Sequence, residues 1–166
     1  MNDPEGLVSA ATLAASAALV EALRTAGLTV ATSESLTGGL VGAVITSVPG
    51  ASAVYLGGAV VYATPMKVTL SGASPETLAT EGVISQATAH ELAAGIRERT
   101  GADWAVATTG AAGPDPQEGH APGEVWIGLA GPDGVRAQFH RFAGDRAAVR
   151  EQAVSAAIAF LAEAIG

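Results

Sequence analysis

Two short apolar segments, 28–33 (LTVATS) and 104–109 (WAVATT), constrain the fold of this chain more than any other feature. Their length and their β-branched residues favour strands that are buried in a sheet. Each strand follows a segment with helical character, 6–26 before the first and 85–100 before the second. Strands that alternate with helices predict an α/β protein built in layers.

The rest of the chain continues this alternation. In chain order, the sequence predicts a helix over 38–48, a strand over 53–63, a short helix capped by Thr64, strands over 124–130 and 135–142, and a final helix from about Asp145. The last two strands form a hairpin, which makes the sheet mixed. We therefore predict one domain over 1–166, with a three-layer α/β/α fold and a mixed, mostly parallel central sheet.

The composition excludes several classes of function. The net charge is −8 with only eight basic residues, so the chain has no basic face and we expect no nucleic-acid partner. It has no cysteine, which excludes disulfides, thiolate metal sites and a cysteine nucleophile, and which agrees with a reducing, cytoplasmic location. The three histidines lack the spacing of a metal site, and we expect neither a metal nor a cofactor.

The apolar segment 7–20 raises the question of a signal peptide or a membrane span. Asp3 and Glu5 stand where a signal peptide would be positive, and the segment is too short and too polar to span a bilayer. We therefore predict a first helix and no membrane partner. The alanine-rich first and last helices either supply the face of a homodimer or are buried within the domain, and the sequence leaves both open.

Lys67 is the first candidate for chemistry, because it is the only lysine among the eight basic residues. Arginine stays protonated in proteins, whereas lysine gives up its proton when its pKa is lowered. Lys67 also falls in the first turn of the helix that Thr64 opens, where the helix dipole disfavours a cation. The sequence favours a general base and a surface lysine about equally.

Ser35 is the second candidate, because it lies between a predicted strand and a helix that begins at Gly38 and Gly39. The free N–H groups at such a helix start stabilise an oxyanion or hold a phosphate. The alternative is that Ser35 or Thr37 only caps the helix, which is the commoner role. The segment does not match the G-x-S-x-G pattern of a hydrolase elbow.

Polar residues also follow the other predicted strands, and ligands of α/β sheets bind at the carboxyl ends of strands. Arg146 and Arg150 share one face at the start of the last helix and are candidates for anion binding. For Arg150, pairing with solvent or an acidic neighbour is the favoured alternative. Thr108, Thr109 and Gly110 follow a strand, which by itself is a weak signal.

Four motifs together resemble those of one known family. They are ESLTGG (34–39), VVYATPMK (60–67), TTGAAGP (108–114) and FAGDRAAVR (142–150). In order and spacing they are similar to the CinA C-terminal domain family, which includes the stand-alone nicotinamide-nucleotide amidases of the PncC type. The similarity extends over essentially the whole chain.

The resemblance implies an α/β/α fold and hydrolysis of nicotinamide mononucleotide to nicotinic acid mononucleotide and ammonia. The family's serine falls on Ser35 and its lysine on Lys67, which implies a serine nucleophile and a lysine base. Its tyrosine falls on Tyr62, which is expected to orient the lysine or to relay the proton. Its threonine and arginine fall on Thr109 and Arg146, which are expected to hold the nucleotide, with Arg146 at the phosphate.

The backbone near the serine supplies the remaining expected contacts. The N–H groups of Thr37, Gly38 and Gly39 are the expected oxyanion donors, and Gly110 is expected at the substrate. The expected partner is therefore a small nucleotide. The alternatives are a nucleotide-binding protein without turnover and an interaction protein in competence or DNA repair.

The chain departs from the family pattern at three places. Leu36 replaces a cysteine that is not the nucleophile, and Ala63-Thr64 replaces Ser-Asn, which removes or changes two polar side chains. His120-Ala121 stands where Lys-Pro is common. The long N-terminal domain of full CinA proteins has no counterpart in the sequence, and we therefore expect no pyrophosphatase activity.

Overall fold

The computed structural model describes residues 6–166, and the prediction for Asp3 and Glu5 lies outside this range. The helices are α1 (Ala10–Ala26), α2 (Leu40–Thr46), α3 (Thr64–Ser71), α4 (Pro75–Thr80), α5 (Gln86–Thr100) and α6 (Arg146–Ile165). The strands are β1 (Val30–Glu34), β2 (Tyr55–Val60), β3 (Trp104–Gly110), β4 (Glu124–Gly131) and β5 (Gly134–Arg141). A short 3-10 helix, Ala51–Ala53, precedes β2.

The strands form one five-stranded sheet in the order β2-β1-β3-β4-β5. β1 pairs in parallel with both β2 and β3. β4 pairs antiparallel with β3 and with β5, so the closing hairpin lies at one edge of the sheet. The predicted mixed α/β sheet is confirmed, with its parallel pairings centred on β1.

Helices cover both faces of the sheet, as the three-layer prediction requires. α5 crosses one face and contacts every strand, and α3 packs beside it. α6 and α2 lie on the other face, where α1 packs against both of them. The larger apolar core lies between this second helical layer and the sheet, and it includes Val30, Val106, Ile127 and Ile158.

The topology brings four chain segments to one edge of the sheet. β1, β2 and β3 are parallel, so the residues after their carboxyl ends meet there. β5 runs in the same direction as β3 because two antiparallel pairings separate them, and α6 therefore begins at this edge too. This is the edge at which open α/β sheets bind ligands.

The structure corrects some local predictions. Thr64 does not cap α3, because it is already helical, while Ala63 takes the extended capping position and makes no side-chain bond. The predicted strand over 53–63 is shorter, since residues 51–53 form the 3-10 helix. The sequence reading missed α4, although Ser74 followed by Pro75 is a typical helix start and the Ser74 hydroxyl caps it.

Candidate active site

Ser35 and Lys67 form a buried pair at the carboxyl edge of the sheet. Ser35 directly follows β1, and Lys67 lies in the first turns of α3. Lys67 Nζ is 3.0 Å from Ser35 Oγ and also donates a hydrogen bond of 2.9 Å to Val61 O. Ser35 is 8% exposed and Lys67 only 2% exposed. The two predicted residues are therefore within proton-transfer distance, and little solvent competes for them.

The environment of Lys67 favours its neutral form. Burial lowers the pKa of Lys67 from 10.5 to about 8, because removing the ammonium from water costs free energy. The carboxylate of Glu118 acts in the opposite direction and raises this pKa. The sequence reading expected a lowered pKa from the helix dipole, whereas in the structure desolvation is the main cause.

Glu34 builds the turn that carries Ser35, and sequence reasoning missed it. Its side chain is 2% exposed and accepts hydrogen bonds from the Thr37 hydroxyl and from the N–H groups of Gly39, Val41 and Gly42, at 2.7 to 3.0 Å. A carboxylate at a helix N-terminus satisfies its free N–H groups and complements its dipole. Glu34 thus caps α2, so the Ser35 hydroxyl is not needed as a cap and accepts the hydrogen bond from Lys67.

Gly38 and Gly39 form the tight part of this turn, and both have positive φ, 63° and 95°. Their N–H groups are not available as oxyanion donors, because Gly38 N–H donates to Ser35 O and Gly39 N–H donates to Glu34. The predicted role of the two glycines as oxyanion donors stays a prediction, and these hydrogen bonds argue against it. Within residues 6–166, the N–H groups of Leu36 and Thr37 have no hydrogen-bond acceptor.

Three other predicted substrate contacts lie deeper than the sequence suggested. The Thr37 hydroxyl is fully buried and bonds to Glu34 and to Thr108. Thr109 is buried and donates to Val83 O at 2.6 Å. A Cβ on Gly110 would collide with the backbone of β4. The two threonine hydroxyls already have hydrogen-bond partners within the chain, and Gly110 is packed against β4 at the edge of the sheet.

Tyr62 and Arg146 form the exposed rim of the site. Arg146 donates to the Tyr62 hydroxyl at 2.8 Å and to Gly113 O at 2.9 Å. Tyr62 is 59% exposed, and the hydrogen bonds of Lys67 go to Ser35 and Val61 instead. Tyr62 thus makes no hydrogen bond to Lys67 in this structure, where its partner is the arginine, and its expected part in orienting the lysine or relaying the proton stays a prediction.

Arg150, one helical turn after Arg146, contacts the turn that carries Ser35. Its Nε donates to Leu36 O and its terminal nitrogen to Thr37 O, both at 3.1 Å. The favoured sequence alternative, pairing with solvent or an acidic side chain, is wrong for this residue. The spacing of the two arginines was the available signal, but only the fold could indicate what each one touches.

Other features bear on ligands more generally. No group of three or more His, Cys, Asp or Glu side chains within residues 6–166 is arranged to hold a metal ion. His120, in the loop that follows β3, instead pairs with Glu124 at the start of β4, at 2.9 Å. None of the helices in this range has both the length and the apolar character needed to cross a membrane.

Together, the fold and the site define an α/β/α domain with a buried serine–lysine pair at the carboxyl edge of a mixed sheet. The sequence profile of the CinA C-terminal domain matches residues 12–165, and the chain belongs to this family. A solved structure of a competence/damage inducible protein from Agrobacterium tumefaciens superposes with a TM-score of 0.90 at 31% identity, covering 94% of this chain and 96% of that one. A CinA superfamily protein from Klebsiella pneumoniae also superposes with a TM-score of 0.90, at 34% identity, over 93% and 97% of the two chains.

Curated relatives are similar over a limited part of their length. A CinA-like protein from Frankia casuarinae is 49% identical over 130 residues, which cover 78% of this chain and 30% of the relative. The chain thus spans about a third of the length of the curated relatives it matches. Their names refer to CinA and to competence and damage induction, and they specify no reaction.

Proposed function

We propose that this chain is an amidohydrolase that converts nicotinamide mononucleotide into nicotinic acid mononucleotide and ammonia, a step of pyridine nucleotide recycling. The hydrogen bond of 3.0 Å between Lys67 Nζ and Ser35 Oγ, in a buried position, is the observation that carries the proposal. A lysine with a pKa of about 8 is neutral often enough to accept the serine proton. The identity of the substrate comes from the family resemblance.

The chemistry proceeds in two stages. Ser35 Oγ bonds to the carboxamide carbon while its proton moves to neutral Lys67 Nζ. The C–N bond then breaks, and Lys67 gives the proton to the leaving nitrogen, which departs as ammonia. In the second stage water attacks the resulting ester with Lys67 again as base, and the carboxylic acid leaves as the serine regains its proton. Each cycle consumes one water molecule and releases one ammonia.

The rim supplies the nucleotide-binding groups in this proposal. Arg146 is exposed, and its guanidinium keeps donors beyond the two that bind Tyr62 and Gly113. A guanidinium binds phosphate with charge-assisted hydrogen bonds. Since the chain carries a net charge of −8, a local cation is required to attract an anionic nucleotide.

The competing proposal is a binding protein without turnover, and Lys67 argues against it. Burial lowers the pKa of a lysine and so reduces the fraction that carries a positive charge, which makes a buried lysine a poor phosphate anchor. The same lowered pKa favours the neutral amine, which can act as a general base. The interaction role in competence or DNA repair rests on the names of the relatives, and no contact within residues 6–166 favours it.

The decisive experiment measures ammonia after incubation of the purified protein with nicotinamide mononucleotide, with the Ser35→Ala variant as the matched control. Because Glu34 and not Ser35 caps α2, the variant should keep the melting temperature of the wild type and lose deamidation. Tight binding of the nucleotide without ammonia release by the wild type would support the binding protein instead. Equal turnover by both proteins would reject Ser35 as the nucleophile.

A further inference from the structure

The turn between Ser35 and Gly39 is held from two sides by charged residues. On one side, Glu34 accepts the N–H group of Gly39 and those of the first turn of α2. On the other side, Arg150 donates to the carbonyl oxygens of Leu36 and Thr37. Glu34 caps α2, whereas the proposed chemistry assigns no role to the two hydrogen bonds of Arg150.

The hydrogen bond to Leu36 O determines where a neighbouring N–H group points. The carbonyl of Leu36 and the N–H of Thr37 belong to one peptide unit, which is planar and trans, so they point in opposite directions. With its carbonyl bound to Arg150, this peptide directs the Thr37 N–H away from the helix α6 side chain. A cation on the carbonyl also polarises the peptide and makes its N–H a stronger donor.

Among the described residues, the N–H groups of Leu36 and Thr37 are the two in this turn that have no hydrogen-bond acceptor. Leu36 directly follows the serine, which is the position that supplies an oxyanion donor when a serine on a strand-to-helix turn attacks a carbonyl. Ser35 N–H and Gly38 N–H are already bound to Thr108 O and Ser35 O. A second donor for an oxyanion in this turn would therefore come from Thr37.

We infer that Arg150 is a positioning residue, which orients and polarises the Leu36–Thr37 peptide so that Thr37 N–H stabilises the oxyanion formed on attack by Ser35. This inference rests on the proposed amidohydrolase function. Arg150 does not touch the substrate in this role. It differs from Arg146, four residues earlier on the same helix, whose contacts are to Tyr62 and Gly113 at the exposed rim.

The test compares Arg150→Ala and Arg150→Lys with the wild type in ammonia release from nicotinamide mononucleotide. Removing one oxyanion donor lowers kcat by about 10²–10³-fold, so misdirecting one should lower kcat by about 10- to 100-fold in the alanine variant. KM should change less than about threefold, because the contact matters in the transition state. Arg24→Ala, on the exposed surface of α1, is the control for loss of an arginine and should behave as the wild type.

Two further measurements separate positioning from a structural role. Guanidinium at a low, non-denaturing concentration should restore part of kcat in Arg150→Ala and have no such effect on Arg24→Ala. Arg150→Lys, which keeps the charge but not the two-pronged geometry, should have an intermediate kcat, and it decides the matter if the alanine variant does not fold. An unchanged kcat in the folded variants, or a rise in KM alone, would overturn the inference.

A measurement that needs no substrate distinguishes this inference from the proposed function. In amide NMR spectra, the Thr37 resonance should move between wild type and Arg150→Ala, while that of Gly131, at the far end of β4, stays in place. A stationary Thr37 resonance overturns the inference whatever the activity. If Thr37 moves but the wild type releases no ammonia, the control of the turn by Arg150 is supported and the proposed function fails. If the wild type releases ammonia but kcat does not depend on Arg150, the proposed function is supported and the inference about Arg150 fails.

Discussion

Lys67 provides the sharpest test of the proposed chemistry, because its role depends on losing a proton. At pH 7, a group with a pKa of about 8 is neutral in about one molecule in ten, whereas an unperturbed lysine of pKa 10.5 is neutral in about one in 3,000. Burial therefore increases the neutral fraction by about 300-fold. Below pH 8, kcat/KM of the wild type should rise about tenfold per pH unit and then level off.

The substitution Lys67→Arg keeps the positive charge and removes the titration, because a guanidinium stays protonated. Turnover should fall by about 10²–10⁴-fold, the range expected for loss of a general base, and the rise with pH should disappear. The assay is ammonia release between pH 6 and 10, with the melting temperature recorded for each protein. Lys67→Met, which has a similar length and no base, should show the same loss and serves as the second variant if arginine does not fit the buried position.

The same pKa links protonation to stability. The folded protein releases the proton of Lys67 at about pH 8 and the unfolded chain at about 10.5, so the unfolded state binds more protons in this window. The free energy of unfolding should therefore rise with pH across it, by roughly 3 kcal/mol, relative to Lys67→Met. Near-normal turnover by Lys67→Arg, or a flat wild-type profile between pH 6 and 8, would reject the base assignment.

The remaining predictions concern the groups around this pair. Arg146→Ala should weaken binding of nicotinamide mononucleotide about tenfold or more, and that of the dephosphorylated riboside much less, in a calorimetric titration; equal losses would remove this residue from the phosphate site. Glu118→Gln should move the rise of the pH–rate profile to lower pH, because the carboxylate raises the pKa of Lys67; an unchanged profile or a shift to higher pH would contradict this electrostatic effect. Glu34→Gln should lower the free energy of unfolding by roughly 3 kcal/mol in a denaturant titration, because one of the two accepting oxygens becomes an NH2 group that cannot accept a backbone N–H, and the negative charge at the start of α2 is lost. The exposed Glu21→Gln is its control, and equal effects of the two substitutions would refute the capping role.

Several local features follow from the sequence because they depend on neighbouring residues. Ser85 and Asp145 cap α5 and α6 with their side chains, close to the predicted starts of these helices. Gly27 ends α1 in the left-handed conformation that glycine tolerates, again as predicted. The strand segments 28–33 and 104–109 were identifiable for a similar reason, since a short, continuous apolar segment is typical of a strand buried on both faces.

The sequence also indicated which segments meet, although it could not indicate the contacts themselves. Polar segments are expected at the carboxyl ends of the strands, namely 33–39, 62–67, 108–113 and 142–150. The structure joins them through hydrogen bonds from Lys67 to Ser35, from Arg146 to Tyr62 and to Gly113, and from Arg150 to Leu36. That expectation needed only strand direction and the rule that ligands bind at this edge. The family resemblance located the serine and the lysine as well.

The tertiary structure alone decided which group each side chain reaches. Arg150 is 114 residues from Leu36 in sequence, and nothing local to either predicts that the guanidinium reaches this carbonyl. The capping role of Glu34 depends on the angle between β1 and α2, and the burial of Lys67 depends on how α3 packs on the sheet. Side-chain partners and pKa values depend on distances set by packing across the sheet, whereas the sequence pattern records only the local preference of each segment.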